Sequence, residues 1–183
     1  MQTSFTQIQS ILGTEGFRST AYKDGFVNGV QMYSIGYGHQ IQPNERYLLT
    51  AVLSVQDALN LFRTNLSPIE AIINSKSEND LTQDQFDALV DFGFNCGDGA
   101  LANIISTWNA TGDPEQVADR MELYNKTRTN GVLTVSDALK ARRATEANMF
   151  IAGAEAVGDI LGSAAGPVAV LVCVFLFYAL FKA

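Results

Sequence analysis

Basic residues are scarce in this chain of 183 residues, which has 12 Lys and Arg against 19 Asp and Glu and a formal net charge of −7. A nucleic-acid-binding protein needs a basic stripe that neutralises phosphates, and the sequence has none. The acidity also gives no general attraction toward an acidic polymer, so binding of such a substrate would depend on local contacts. We therefore expect no nucleic-acid partner.

Cysteine and histidine are almost absent, with two Cys and one His in the chain. Cys96 falls in a predicted helix and Cys173 in an apolar C-terminal run, so the two have no way to meet and no disulfide is predicted. No group of His, Cys and carboxylate residues has metal-site spacing, and no phosphate-binding loop is present. We expect no metal and no cofactor.

Long hydrophobic runs are missing until the C-terminal end of the chain. The first residues lack the basic start and apolar core of a secretory signal, so no N-terminal address is predicted. Residues 160–181 form an uncharged run of 22 residues, which as a helix would extend roughly 33 Å and cross a bilayer core. A buried core helix is the alternative for this run. We predict one folded domain over 1–152, a short linker over 153–159 and a transmembrane helix over 160–181.

The remaining sequence alternates helical patterns with one glycine-rich segment. Apolar residues at helical spacing, followed by Gly13, predict a first helix that ends just before Glu15. Short runs separated by glycines over 21–38 predict a small antiparallel sheet. Later helices are predicted to start at three capping signals and to include a last amphipathic segment: Ser54, Thr82, Asp113 and residues 139–150.

Two acidic residues near the predicted sheet fit the chemistry of glycoside cleavage. Breaking a glycosidic bond requires a proton donor for the leaving oxygen and a second polar group that handles water or the developing positive charge. Glu15 follows the first helix, and Asp24 lies nine residues on, where a hairpin could fold back across it. By themselves, a Glu and an Asp at this spacing are more often solvated surface residues.

Three short stretches occur in order around these acids: Glu-Gly-Phe-Arg at 15–18, Ala-Tyr-Lys-Asp at 21–24 and Ser-Ile-Gly-Tyr-Gly-His at 34–39. Together they closely resemble the signature of the phage-type lysozymes, the endolysin family of glycoside hydrolases. Further blocks at 85–97 and 124–146 are similar to the same family, so the resemblance covers roughly residues 4–150. It implies a lysozyme-like α+β fold of two lobes, mainly helical with a small antiparallel sheet, and a cleft between the lobes.

The resemblance also implies a catalytic triad of Glu15, Asp24 and Ser34, acting with inversion at the anomeric carbon. Glu15 would be the general acid, with a pKa raised by partial burial, while Asp24 would activate water on the opposite face with Ser34 hydrogen-bonded to it. The chain departs from the family pattern in two ways. Ser34 stands where the family usually has Thr, and the spacer between Asp24 and Ser34 is about four residues longer, which predicts a bulged hairpin.

Four further residues match positions that line the sugar cleft of the family: Gln40, Phe94, Asn95 and Ser106. For Phe94, a position in the hydrophobic core is an equal alternative. His39 is interpreted as a structural partner for a carboxylate. Arg142 and Arg143 are interpreted as structural partners of acidic neighbours such as Glu146.

The predicted function is that of a peptidoglycan-degrading, phage-encoded lysozyme for host entry or lysis, anchored in a virion internal membrane or the host inner membrane. Its expected partners are peptidoglycan glycan strands, the lipid bilayer through residues 160–181, and other virion or membrane proteins. One alternative is a catalytically silent lysozyme-fold module that binds the cell wall or serves a structural role. Another is a membrane-lesion protein, which would account for the apolar run alone.

Overall fold

The computed structural model describes residues 1–27, 29–129 and 132–163, with the backbone alone for 129 and 155–163. These residues form, in chain order, α1 (Phe5–Glu15), β1 (Arg18–Val27), β2 (Val30–Gly36), β3 (His39–Gln40), a 3₁₀ helix (Pro43–Leu49), α2 (Val55–Lys76), α3 (Gln83–Cys96), α4 (Asp98–Thr111), α5 (Pro114–Glu122), β4 (Lys126–Thr129), β5 (Val132–Val135) and α6 (Asp137–Ser163). The predicted fold class, mainly helical α+β with a small antiparallel sheet, is confirmed.

The small sheet is antiparallel, in the order β1-β2-β3. The long spacer after Asp24 is accommodated in the first hairpin, because it lengthens both β1 and β2. The pairing shifts register between Lys23 and Phe26, and Gly25 adopts a positive φ of 80° there. This is the geometry of a β-bulge with glycine in the left-handed region. The predicted bulge is therefore present.

Two separate hydrophobic cores define the two lobes. The larger core surrounds α3, whose Phe86, Leu89 and Phe92 are fully buried against the other helices. A smaller core beneath the sheet is formed by Ile35, Ile41 and Leu48. Helix α2 contacts both cores through neighbouring side chains: Leu61 packs against the smaller core and Phe62 belongs to the larger one. This helix therefore joins the lobes.

The predicted helix starts are confirmed by their capping bonds. The side chains of Ser54, Thr82 and Asp113 each accept hydrogen bonds from backbone N–H groups in the first turn of α2, α3 and α5. Each bond satisfies a donor that the helix itself leaves unpaired. These three boundaries depend on residues within four positions of each other, which is why the sequence predicts them.

The end of α1 differs from the prediction. The helix continues through Gly13 and includes Glu15 as its last residue. Gly16, with φ of 70°, ends it and donates its backbone N–H to the Leu12 carbonyl. A glycine inside a helix costs only about 1 kcal/mol, whereas a residue with positive φ must leave the helix. Glu15 is thus fixed by helical backbone on one side and a glycine turn on the other.

Helix α6 continues to Ser163, so residues 153–159, which the sequence predicts as a linker, are helical. Gly153 is buried where α6 meets the start of α3, and a Cβ at this position would lie 2.6 Å from Thr82 Oγ1. The predicted transmembrane segment, residues 160–181, lies outside the described residues from 164 onward. In the part of the chain that is described, no helix combines the length and the apolar character needed to cross a membrane.

Candidate active site

Glu15 lies at the edge of a cleft between the sheet and the helices. The cleft has a volume of about 750 Å³ and is lined by residues from α1, β3, α2 and α3. Gly38, in the turn before β3, faces the acid so closely that a Cβ there would lie 3.1 Å from Glu15 Oε2. Gly38 also has a positive φ of 74°. Both the turn and the proximity of the carboxyl therefore require glycine at this position.

Three of the four residues predicted to contact sugar line this cleft with Glu15: Gln40, Phe94 and Asn95. Gln40 and Asn95 are exposed, so their amides are accessible to a ligand. Phe94 is half-buried and its ring lies 5.5 Å from that of Phe62 in a tilted edge contact. Phe94 therefore both packs against the core and lines the cleft, while its contact with sugar stays a prediction.

The structure does not bring Ser106 to this cleft. It lies on the face of α4 that it shares with Ala102 and Asn109, beside the C-terminal end of α2. These positions are three or four residues apart and therefore follow one helical face. That face lines a separate depression with Ser75 and Lys76. Contact between Ser106 and sugar therefore stays a prediction, at a position that does not line the cleft with Glu15.

The environment of the Glu15 carboxyl raises its pKa, although the residue is exposed at the edge of the cleft. Partial desolvation in the cleft is the main cause of its raised pKa, and the negative charges of Asp91 and Asp24 raise the pKa further. The positive charge of Arg142 acts in the opposite direction. The net effect is a pKa above the usual value for Glu, as a general acid requires.

Asp24 and Ser34 meet across the first hairpin. The Ser34 hydroxyl donates a hydrogen bond of 2.6 Å to Asp24 Oδ2. Ser34 is completely buried, whereas Asp24 is exposed. The bulge after Lys23 therefore does not separate the two residues. Asp24 also lies within electrostatic reach of Glu15, since its charge raises the pKa of that carboxyl.

His39 is held on both sides and supports the structure, as predicted. Its Nδ1 lies 2.7 Å from Asn65 Oδ1 and its Nε2 lies 2.8 Å from Glu45 Oε2. Hydrogen bonds from the Gln42 backbone N–H and from His39 lower the pKa of Glu45, so this carboxylate is ionised. Within the described ranges, no three His, Cys, Asp or Glu side chains are grouped so that they could hold a metal ion.

A cluster of charged side chains lies where α6 packs on α3. Arg142 Nη2 is 2.6 Å from Asp91 Oδ1, and Arg143 Nη2 is 2.5 Å from Glu146 Oε1. Arg143 and Glu146 are fully buried, and Arg143 also contacts the Cys96 sulfur. The predicted structural role of the two arginines is confirmed. Asp91 was missed as a site residue, because its partner lies 51 positions away in the sequence.

Comparisons with known proteins agree with this architecture. The profile of the phage lysozyme family matches residues 13–146, and the chain belongs to that family. An endolysin of Bacillus phage B103 is 32% identical over 158 residues, which are 84% of this chain and 55% of the relative. The chain spans about half the length of the first curated relatives it matches.

Two solved structures have the same fold. An endolysin from Escherichia coli O157:H7 phage FAHEc1 superimposes with a TM-score of 0.70 and 28% identity over 82% of this chain and 94% of its own. The muramidase domain of SpmX from Asticaccaulis excentricus superimposes with a TM-score of 0.69 and 32% identity, over 82% of this chain and 97% of its own. The prediction of a lysozyme-type glycoside hydrolase is thus confirmed at the level of the family.

Proposed function

We propose that this protein hydrolyses the glycan strands of bacterial peptidoglycan. The observation that carries the proposal is the placement of Glu15, a carboxyl with a raised pKa, in a cleft within electrostatic reach of the Asp24–Ser34 pair. Glycoside hydrolysis needs two acidic groups in different protonation states, one to donate a proton and one to accept it. Family membership and the muramidase fold of a structural neighbour support this assignment.

In this mechanism, Glu15 donates its proton to the oxygen of the scissile bond as the bond between that oxygen and the anomeric carbon breaks. A water molecule attacks the anomeric carbon from the opposite face, and Asp24 accepts the proton that the water releases. The hydrogen bond from Ser34 occupies Asp24 Oδ2, which leaves Oδ1 to orient the water. The expected product has the inverted configuration.

The cleft provides contacts of the kind that a glycan requires. Gln40 and Asn95 offer amide donors and acceptors for sugar hydroxyls and N-acetyl groups, and Phe94 offers an apolar ring surface. The lining therefore combines polar groups that fix orientation with a surface on which a sugar ring can pack. Such local contacts are necessary because the acidic chain gains no general attraction toward a wall that also carries carboxylates.

The proposal includes attachment to a membrane through residues 160–181, in a virion internal membrane or the host inner membrane, where other membrane or virion proteins would be neighbours. Its support is the uncharged run of 22 residues in the sequence. Helix α6 enters the first four residues of this run without a break. The catalytic domain would then be presented to the wall from the membrane surface.

The test is the clearing of purified peptidoglycan by the full chain, with analysis of the products for new reducing ends and for their anomeric configuration. Formation of reducing sugars with inverted configuration is expected. Anhydro-sugars would exclude hydrolysis, and an intact wall after prolonged incubation with folded protein would favour the silent wall-binding module instead.

A further inference from the structure

Arg142 is held by two carboxylates on the helical side of the site. Its Nη2 donates to Asp91 Oδ1 at 2.6 Å, and its Nε lies 3.4 Å from Glu146 Oε1. The side chains of Arg142 and Asp91 are mostly buried, with 19% and 14% of their surface exposed. A charge-assisted hydrogen bond that is this short and this well shielded from water fixes the guanidinium in one orientation.

This ion pair involves the same face of α3 as a residue that lines the cleft. Asp91 is four residues before Asn95 on α3, so the two share one face of the helix. Asn95 lines the cleft together with Glu15, and α6 brings Arg142 onto α3 at this level. The arginine charge consequently acts on the Glu15 carboxyl.

A guanidinium that paired with Glu15 would oppose the chemistry. A guanidinium that pairs with a carboxyl stabilises the ionised form, whereas a general acid must hold its proton until the substrate is bound. The site therefore contains a cation whose charge lowers the pKa of the very group that has to stay neutral.

We propose that Asp91 is a positioning residue for the general acid: by binding the Arg142 guanidinium, it keeps this cation from pairing with Glu15, so that Glu15 retains its proton. The inference rests on the proposed function in taking Glu15 as the proton donor. It assigns to Asp91 a part in the reaction although Asp91 does not line the cleft.

The other charged groups around Glu15 do not replace Asp91. From the sheet, Asp24 raises the pKa of Glu15, and the phenol of Tyr22 is electrostatically coupled to both acids. His39 and Asp98 line the same cleft. None of these four groups has a hydrogen bond or ion pair to Arg142 among the described residues.

Glu146 is the second carboxylate beside Arg142, but its charge is not constant. Burial raises the pKa of Glu146 to about 7, against the effect of the adjacent Arg143. Below that pH, Glu146 loses its charge and binds Arg142 less strongly. Asp91, which makes the shorter of the two contacts, is therefore the main partner of the arginine.

The direct test is the titration of the Glu15 carboxyl, followed by carbon NMR in the full chain kept in detergent. In Asp91→Asn, the pKa of Glu15 should fall by roughly one unit, the scale on which an adjacent arginine acts on a carboxyl. Asp91→Glu, which keeps the charge, should restore most of the parent value. Asp119→Asn on the exposed face of α5 makes the same chemical change away from the site and should leave the titration of Glu15 unchanged.

Repeating the Asp91→Asn change in an Arg142→Gln protein distinguishes the positioning of the guanidinium by Asp91 from the direct effect of the Asp91 charge on Glu15. In Arg142→Gln, Asp91→Asn should displace the titration of Glu15 by less than half as much as in the parent, because no guanidinium remains to be released. A titration that Asp91→Asn leaves in place, or an equal displacement in both backgrounds, would overturn the inference.

Activity adds an independent readout. The alkaline limb of kcat/KM against pH should move to lower pH in Asp91→Asn by the same amount as the titration. An inactive parent whose Glu15 titration still responds as described would refute the proposed function and leave the electrostatic role of Asp91 standing. An active parent without that response would refute the role of Asp91 alone.

Discussion

The Ser34 hydroxyl and the Asp24 carboxylate are joined by a hydrogen bond of 2.6 Å across the β1–β2 hairpin. This hairpin contains the spacer that is longer than in the family pattern. Ser34 is fully buried, so its hydroxyl offers the exposed Asp24 carboxylate a donor that is shielded from water. The serine thus supplies the hydroxyl that the family usually obtains from threonine.

Replacing Ser34 with Ala should lower the rate of wall cleavage by at least about tenfold, because a hydrogen bond to a charged group typically contributes 1.5–3 kcal/mol. Ser34→Thr retains the hydroxyl and should retain activity. Ser67→Ala on the exposed face of α2 serves as the control. Equal cleavage rates for Ser34→Ala and the parent would remove this residue from the site.

Glu15→Gln should reduce activity by about 10²–10⁴-fold, the usual contribution of general acid catalysis. The amide keeps the shape of the side chain but has no proton to transfer. The melting temperature should be unchanged or slightly higher, since a partly desolvated carboxyl is held at a cost to the fold. Glu122→Gln, at an exposed position of α5, should leave both quantities as in the parent. Full activity of Glu15→Gln would contradict the mechanism.

Gly38→Ala should impair catalysis more than its effect on stability explains. A Cβ at this position would meet Glu15 Oε2 at 3.1 Å, so the carboxyl must move. Gly29→Ala is the matched control, because Gly29 also has a positive φ but faces open space. Both variants should lose on the order of 1 kcal/mol of stability from backbone strain. Only Gly38→Ala should lose activity, and a similar loss in both would attribute the effect to strain.

The buried carboxyl of Glu146 should make the unfolding free energy depend on pH. Its pKa rises from 4.5 to about 7 on folding, so the folded state prefers the protonated form. The resulting stability is fully present below about pH 4.5 and is lost as the pH rises through 7, by on the order of 3 kcal/mol at about 1.4 kcal/mol per pKa unit.

Urea unfolding of the parent and of Glu146→Gln at several pH values between 4.5 and 8 would measure this contribution. The decline with pH should be shallower in the variant. Glu15 contributes a decline of the same sign, so the Glu15→Gln variant provides the comparison. Identical slopes for the parent and Glu146→Gln would show that Glu146 does not take up its proton on folding.

Membrane attachment should depend on the C-terminal run. The full chain should float with lipid vesicles, whereas a chain that ends at residue 163 should remain in the aqueous fraction and retain its fold. Circular dichroism checks the fold and flotation checks the partition. Full-length protein that stays monomeric in plain buffer would show that residues 160–181 are not an anchor.

Local signals account for most of what the sequence predicts correctly. The helix starts at Ser54, Thr82 and Asp113 follow from side chains that bond to backbone groups two or three residues away. Helix α4 lacks such a signal, since it begins after Gly97 without a capping side chain, and it was not predicted. The β4–β5 hairpin was likewise not predicted.

Features that depend on contacts between residues far apart in the chain could not be predicted from the sequence. The resemblance to a family places Glu15, Asp24 and Ser34, but the bond between the last two depends on strand register. The sequence also does not show which face of α4 turns toward the cleft, so it could not place Ser106 in the separate depression that this residue lines. Asp91 depends on the docking of α6, which brings Arg142 onto α3 from the far end of the domain.

The uninterrupted course of α6 has a mechanical consequence. From Gly153, which is packed against the start of α3, to Ser163 the helix adds ten residues, or roughly 15 Å of stiff rod. A force applied at residue 163 would be transmitted through the helix to the contact at Gly153, because no flexible linker separates the two. Arg142 lies on the same helix, eleven residues before Gly153, so the helix that would carry this force also carries the salt bridge to Asp91.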